Sequence, residues 1–241
     1  MGEPVNFNEL RSVYRWPQRV LRRLLPRLCL VCAEAGTADV DLCPACHAAL
    51  PEHRHACLCC ATELFACDGA GLCGQCLQQR PPLQRVHACF TYRWPVDRLL
   101  RRFKFHQDLV AGRLFSDLMA RRCAVLPRPQ ALVPVSLHRQ RLRQRGDDQA
   151  LELARPLGRA LQLPCLPLLR RVRATAPQSE LDAIERQRNV RDAFVARGAL
   201  PPHVALVDDV MTTGATLHAA AKALRKAGVQ RVDAWVCARV P

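Results

Sequence analysis

The chain has 241 residues, 49% of them hydrophobic, enough for one ordinary domain with a small appendage, and this excludes an intrinsically disordered protein. Its formal charge is +15 at pH 7 and 33 of its 36 basic residues are arginine, which favours an anionic partner such as nucleic acid or phosphate, although codon bias toward arginine explains the same composition. No apolar run approaches the roughly 18 residues of a membrane helix, and the first residues lack the pattern of a signal peptide, so we expect a cytoplasmic location without membrane insertion.

The first predicted segment, residues 1–26, carries apolar side chains at helical spacing between residues 9 and 25, with arginines on the other face and an interruption at Pro17. We predict an amphipathic helical segment that packs on the body of the protein. A helix that faces DNA or a partner protein is the alternative interpretation.

Residues 27–80 contain four Cys-x2-Cys pairs among the fourteen cysteines of the chain. A reducing compartment disfavours disulfides, whereas two such pairs on facing turns can complete a tetrahedral shell of four thiolates. The pattern predicts a double zinc-ribbon module with two structural Zn²⁺ ions, whose ligands are Cys29, Cys32, Cys43, Cys46, Cys57, Cys60, Cys73 and Cys76. Tandem pairing, the first four and the last four, is favoured over an interleaved arrangement.

Six further cysteines do not fit the paired spacing. Two spare thiols in the same module can replace a ligand, Cys59 and Cys67. Four others lie in apolar contexts that predict small core residues, namely Cys89, Cys123, Cys165 and Cys237. The histidines near the module are predicted to lie in solvated loops: His47, His53 and His55.

Residues 84–241 alternate between strand-like and helix-like segments, which predicts an α/β fold with a mainly parallel sheet flanked by helices. The predicted strands are 85–93, 131–135, 203–210 and 231–240. The predicted helices are 95–105, 109–126, a segment from 138 to 163 that is bent or broken around Gly146 and Pro156, and 215–228 with a glycine stop at Gly228. The strand HVALVDDV is apolar on both faces, which is typical of the centre of a parallel sheet.

The stretch ALVDDVMTTGAT, residues 205–216, places two adjacent acids after a buried strand predicted to end at Val207. In open α/β sheets, ligands bind beyond the carboxyl ends of the strands. Asp208 and Asp209 can accept hydrogen bonds from the vicinal hydroxyls of a ribose, while the Thr- and Gly-rich turn and the following helix N-terminus can hold its phosphate. The stretch therefore predicts a site for a ribose 5-phosphate group. An acid-rich turn that only caps a helix is the alternative.

This stretch resembles the phosphoribosyl pyrophosphate (PRPP) loop of type I phosphoribosyltransferases. Joined to a multi-cysteine module, it resembles the ComF family, which is associated with DNA uptake in natural competence and transformation. Further matches to the family pattern are Phe103-Lys104-Phe105 before Asp108, Val133-Pro134-Val135-Ser136-Leu137, Arg145-Gly146 with Gln149-Ala150, Arg173 with Thr175 and Gln178, and Arg188-Asn189-Val190 with Phe194.

The resemblance implies a phosphoribosyltransferase-like domain over residues 84–241 that binds PRPP together with Mg²⁺. The implied PRPP-binding residues are Asp208, Asp209, Met211, Thr212, Thr213, Gly214, Ala215 and Thr216. By the same resemblance, the turn after the VPV strand contacts the pyrophosphate, and its candidate residues are Ser136, Leu137 and His138. Candidate loop contacts are Lys104, Gln178, Arg188 and Asn189; for Lys104, a snorkelling lysine on a buried helix face is the alternative.

One segment departs from the family pattern. The chain reads RGDDQ, with Asp147 and Asp148 in place of an aromatic residue and an amide. Two acids next to a pyrophosphate would repel it unless Mg²⁺ lies between them.

Three functions are compatible with these features. The first is a phosphoribosyltransferase that transfers phosphoribosyl from PRPP to a nitrogenous acceptor. The second is a protein of the DNA-uptake machinery that binds single-stranded DNA, with PRPP as its effector and other uptake proteins as partners. The third is a regulator that senses PRPP and signals through the zinc module. Binding of PRPP is common to all three.

Overall fold

The structure is a computed structural model that describes residues 27–64, 71–135, 148–172 and 192–241. It divides the chain into two compact units, Met1–Ala49 and Leu50–Pro241. In the first unit, Leu28 and Ala35 form an isolated antiparallel bridge, and Arg27 pairs with Asp41 at 3.3 Å. Helix α1 (Pro44–Ala48) completes the described part of this unit.

Six strands lie in the described residues of the second unit. They are β1 (Arg85–Thr91), β2 (Ala131–Pro134), β3 (Leu169–Arg171), β4 (Phe194–Ala196), β5 (His203–Met211) and β6 (Arg231–Arg239). Four of them form a sheet in the order β1–β6–β5–β2, in which every pair is parallel. The strands β3 and β4 form a separate antiparallel pair. The prediction of an α/β fold with a mainly parallel sheet and β5 at its centre is confirmed.

Five helices of the second unit lie in the described residues: α2 (Gly74–Gln78), α3 (Val96–Phe105), α4 (Leu109–Cys123), α5 (Gln149–Leu161) and α6 (Ala215–Lys226). Two of these helices have an N-terminus that is capped by an aspartate side chain. The carboxylate of Asp108 accepts from the Ala111 amide at 3.0 Å before α4, and that of Asp148 accepts from the Leu151 amide at 3.4 Å before α5. Gly228, two residues beyond α6, has a φ of +103°, as the predicted glycine stop requires.

The central strand β5 is buried on both faces because helices cover both. Val204 and Leu206 join Leu217 of α6 in one core cluster. Ala205 and Val207 alternate with them, are equally buried, and face the layer in which α5 packs on β2 and β5. The site at the end of β5 therefore rests on a rigid, fully packed element.

Two sequence predictions need correction. Of the bend or break predicted around Gly146 and Pro156, a break at Pro156 does not occur, because Pro156 lies inside α5, where burial of Leu153 and Leu157 stabilises the helix despite the missing hydrogen bond. The strand predicted over residues 203–210 continues to Met211, so Asp208 and Asp209 lie within β5 and not after an end at Val207, because its pairing with β6 extends that far.

Among the described residues, none of the helices combines the length and the apolar character that crossing a lipid bilayer would demand.

Candidate functional site

The adjacent acids lie at the carboxyl end of the central strand. Because successive residues of a strand face opposite sides, Asp208 and Asp209 diverge from one another. Asp209 is only 6% exposed, and Asp208 is half-buried. Their carboxylates are fixed by backbone amides: Asp208 Oδ1 accepts from the Asp209 amide at 2.9 Å, and Asp209 Oδ1 accepts from the Val210 amide at 2.7 Å.

Lys104 forms an ion pair with Asp209. Its Nζ lies 3.0 Å from Oδ2 of Asp209, although the two residues are far apart in the sequence. The lysine lies on α3, within the helix predicted over residues 95–105. Of its aromatic neighbours, Phe103 is buried in the core and Phe105 is exposed. The helix therefore uses one face for the core and brings the ammonium group of Lys104 to the acid site.

Burial raises the pKa of Asp208 well above its ordinary value, and the negative charge of Asp209 raises it further, while Lys104 opposes the shift. A desolvated carboxylate next to a second negative charge favours protonation or a nearby cation. Asp148 adds to the same shift from the start of α5. As the N-cap of α5, Asp148 also has a structural role, which the amide of the family pattern would serve equally well.

The turn after β5 is shaped by Gly214, whose φ is +77°. A Cβ at this position would lie 2.5 Å from Cε of Met211, so a side chain here would be strained by both backbone and space. Gly214 is also the N-cap of α6 and has no side chain to offer to the first amides of the helix. The hydroxyl of Thr213 accepts from one of these amides, that of Ala215, at 3.4 Å. This leaves a helix N-terminus whose dipole favours an anion.

The other predicted residues of this turn differ in exposure. Thr213 is exposed, and Thr212, Ala215 and Thr216 are half-buried, so the turn is accessible. The side chain of Met211 is instead buried in the core, and its carbonyl accepts from the Val240 amide at 2.9 Å. Met211 therefore supports the turn through its buried side chain and its carbonyl.

Sequence reasoning missed His218, one helical turn after Gly214. Its Nε2 is buried and has no hydrogen-bond partner within the described ranges, and burial lowers its pKa. The four-residue spacing from Gly214 on one helix face was the available signal.

Several predicted residues lie outside the described residues. They are the pyrophosphate-turn candidates Ser136, Leu137 and His138, the loop candidates Gln178, Arg188 and Asn189, the family-pattern residues Arg145, Gly146, Arg173, Thr175 and Val190, the acid Asp147, the spare thiol Cys67, and the amphipathic segment 1–26.

The predicted zinc ligands form two clusters, each with its four sulfurs within 4.8 Å of one another. The first cluster is Cys29, Cys32, Cys43 and Cys46, and the second is Cys57, Cys60, Cys73 and Cys76. Tandem pairing is thus confirmed, and each set fits a closed four-thiolate zinc site. Both clusters contain the same kind of turn: the amides of Ala33 and Ala61 donate to the carbonyls of Cys29 and Cys57, each at 2.8 Å. Cys59 stays outside the second cluster, and its Sγ donates to the Gln84 carbonyl at 3.6 Å.

The second cluster, ribbon 2 (residues 56–64 and 71–78), is joined to the sheet. The amide of Val86 on β1 donates to the Leu58 carbonyl at 2.7 Å. Arg239 at the end of β6 donates through Nε to the Cys60 carbonyl and through Nη1 to the Met211 carbonyl, each at 3.4 Å. One guanidinium therefore connects ribbon 2 to Met211, the last residue of β5 before the Thr- and Gly-rich turn.

The prediction that His53 lies in a solvated loop is wrong. Its side chain is only 2% exposed, and its Nε2 donates to the Ala61 carbonyl at 2.8 Å. Burial lowers its pKa. A single histidine between cysteine pairs gives no pattern that would distinguish this structural role from a loop position.

Comparison with known proteins matches both parts of the chain. The model of the double zinc ribbon domain matches residues 20–90, and that of the phosphoribosyl transferase domain matches residues 148–241. The chain is 38% identical over 178 residues to "Competence protein F" of Haemophilus influenzae, covering 69% of this chain and 78% of that protein. It is 36% identical over 229 residues to "DNA utilization protein YhgH" of Salmonella typhi, covering 88% and 90%. It is 31% identical over 148 residues to "Competence protein ComFC" of Bacillus subtilis, covering 61% and 60%.

Proposed function

The chain belongs to the ComF family of competence proteins, and from this membership we propose that it binds PRPP with Mg²⁺ at the end of β5 and handles single-stranded DNA during DNA uptake. The names of its relatives and its phosphoribosyltransferase domain support a role in competence. The observation that carries the PRPP proposal is the pair Asp208–Asp209 followed by a glycine turn at a helix N-terminus.

Each part of the site matches one part of PRPP. The carboxylates of Asp208 and Asp209 accept hydrogen bonds from the two ribose hydroxyls. The turn from Thr212 to Thr216 receives the 5-phosphate with backbone amides and threonine hydroxyls. Mg²⁺ balances the charge between the diphosphate and the acids, and Lys104 adds a positive charge beside them.

The turn provides a direct test by calorimetry with PRPP and Mg²⁺. We expect saturable, Mg²⁺-dependent binding to the unaltered chain, weakened about tenfold in Gly214→Ala, because the new Cβ pushes on Met211 and moves the phosphate-binding amides. Gly198→Ala is the matched control, since Gly198 also has a positive φ, +83°, but its nearest contact is Leu168, away from the turn. No binding by the unaltered chain, or equal affinity in both variants, would contradict the proposal.

The exposed face of α3 supports the DNA part of the proposal. Arg98, Arg101 and Phe105 follow one another at helical spacing on α3, so they lie along one stripe, and Trp94 lies two residues before the helix begins. Trp94 and Phe105 are 59% and 63% exposed. Exposed rings on either side of arginines are what single-stranded nucleic acid binds, because bases stack on the rings and phosphates pair with the cations. We call these four residues the α3 stripe.

The α3 stripe can be tested by fluorescence anisotropy of a labelled single-stranded oligonucleotide across a salt series. We expect the Trp94→Ala, Phe105→Ala double variant to bind at least tenfold more weakly with an unchanged salt slope, since stacking contributes about 1–3 kcal/mol per base. The Arg98→Ala, Arg101→Ala variant should lower the salt slope by about 0.7 for each phosphate that the arginines no longer neutralise.

Val125→Ala is the control for these variants, because Val125 is 85% exposed just beyond the far end of α4. If the unaltered chain does not bind the oligonucleotide at modest salt, the DNA role fails. The intact PRPP turn then favours a phosphoribosyltransferase, to be examined with nitrogenous acceptors.

A further inference from the structure

A third group of potential metal ligands, which shares no residue with the two cysteine clusters, lies between β1 and the end of α4. One ring nitrogen of His87 and the sulfurs of Cys89 and Cys123 all lie within 4.8 Å of one another. His87 and Cys89 are two residues apart on β1 and so share a face of the sheet, while Cys123 is the last residue of α4. Three residues from two elements thus converge on one point.

The surroundings of this group are unusual for core cysteines. Both thiols are fully buried. The Nε2 of His87 is also buried and has no hydrogen-bond partner in the described parts of the chain. An unpaired buried nitrogen costs about 1–3 kcal/mol, so it calls for a ligand or another explanation. Imidazole and thiolate together are donors that Zn²⁺ prefers.

The charges fit a divalent cation. Two thiolates and one neutral imidazole around Zn²⁺ carry no net charge, which suits a buried place.

Two neighbouring groups are compatible with this charge balance. Arg122, next to Cys123 in the chain, has its positive charge balanced by Glu52, since its Nη2 lies 2.5 Å from Oε1 of that residue, and its guanidinium covers the ring of Phe90 at 4.7 Å. On the neighbouring strand, Cys237 lies beside Cys89, between the paired positions Ala88↔Val236 and Phe90↔Ala238. The strand register thus offers a further thiol near the three ligands.

We propose that His87, Cys89 and Cys123 form a third zinc site, which holds the end of α4 on β1. Unlike the ribbons, this site has three ligands in the cluster, and its imidazole distinguishes it from a four-thiolate site. The proposal is independent of PRPP and DNA binding, because none of its three ligands belongs to the β5 turn or to the α3 stripe.

Elemental analysis of protein purified without chelator tests the site. We expect about three zinc ions in the unaltered chain and about two in both Cys89→Ser and Cys123→Ser, since the ribbons keep theirs. Cys59→Ser and Cys165→Ser are the matched controls: both are cysteines outside all three clusters, and both should keep three. A count of about two in the unaltered chain, with no loss in Cys89→Ser, would overturn the proposal.

Cobalt substitution gives a second measurement that needs no variant. In the unaltered chain we expect three equivalents of Co²⁺ to bind, the third with weaker thiolate charge-transfer absorption than the first two because it has fewer sulfur ligands. Saturation at two equivalents with a single type of spectrum would contradict a third site.

Discussion

Replacing Asp208 and Asp209 together by asparagine is expected to weaken PRPP binding by about a hundredfold or more while the fold persists. Each carboxylate would lose charge-assisted hydrogen bonds to a ribose hydroxyl, at about 1.5–3 kcal/mol for each acid. Titration calorimetry with PRPP and Mg²⁺ measures the loss. Asp117→Asn is the control, since Asp117 is a half-buried acid on α4 outside the site.

Replacing Asp208 is expected to weaken PRPP binding but not to lower the stability of the fold. The pKa of Asp208 in the folded chain lies above its value in the unfolded chain, mainly because of burial. Stability associated with such a group is full below the unfolded pKa, near pH 4, and is lost as pH rises through the folded pKa. Asp208→Asn removes this loss, so its melting temperature at pH 7 should equal or exceed that of the unaltered chain.

A variant that is more stable but binds PRPP less well would identify Asp208 as an acid retained for binding. A lower melting temperature together with unchanged PRPP affinity would assign Asp208 a structural role and remove the central claim. The single variant Asp209→Asn separates the two acids, because only Asp209 forms the described ion pair with Lys104.

Loss of the metal from ribbon 2 is expected to have the second large effect. In Cys57→Ser, Cys60→Ser we expect one zinc ion fewer per chain and unfolding of the ribbon, because a structural zinc ion contributes roughly 10–16 kcal/mol in isolated zinc-finger peptides. We also expect PRPP affinity to fall roughly fivefold. The reason is Arg239, which loses the Cys60 carbonyl and then holds the Met211 carbonyl less firmly, at about 1 kcal/mol for one hydrogen bond.

Arg239→Lys separates the metal from the hydrogen bonds. Lysine keeps the charge but lacks the planar fork that reaches two carbonyls, so this variant should lose PRPP affinity to a similar extent and keep its zinc. Arg231→Lys is the matched control, because Arg231 lies at the other end of β6 and pairs with Asp233. Full PRPP affinity in the zinc-depleted double variant would show that ribbon 2 does not position the turn.

The sequence predicted the elements whose signals are local. The apolar run before Asp208, the turn around Gly214 and the paired cysteines each depend on neighbouring residues, and the structure has the strand, the turn and the two clusters there. The ion pair between Lys104 and Asp209 was not predictable, because it arises from packing α3 beside β5. The same holds for the convergence of His87 and Cys89 with Cys123, since neither spacing nor composition relates a strand to the end of a later helix.

Short or overridden signals account for the other errors. The strands β3 and β4 have three residues each, too few to show a period of two. Pro156 is a helix breaker in isolation, but burial of the adjacent helix face outweighed it. His53 became a buried hydrogen-bond donor only because ribbon 2 is joined to the sheet.

The strand order β1–β6–β5–β2 also constrains how the protein folds. β6 separates β1 from β5, so β1 has no neighbour in this sheet until residues 231–239 have been synthesised, about 140 residues later in the chain. Such non-local pairing slows folding and leaves strand edges exposed meanwhile. During synthesis at about 5–20 residues per second, the edge of β1 that pairs with β6 therefore stays open for many seconds, a period in which chaperones could protect it from aggregation.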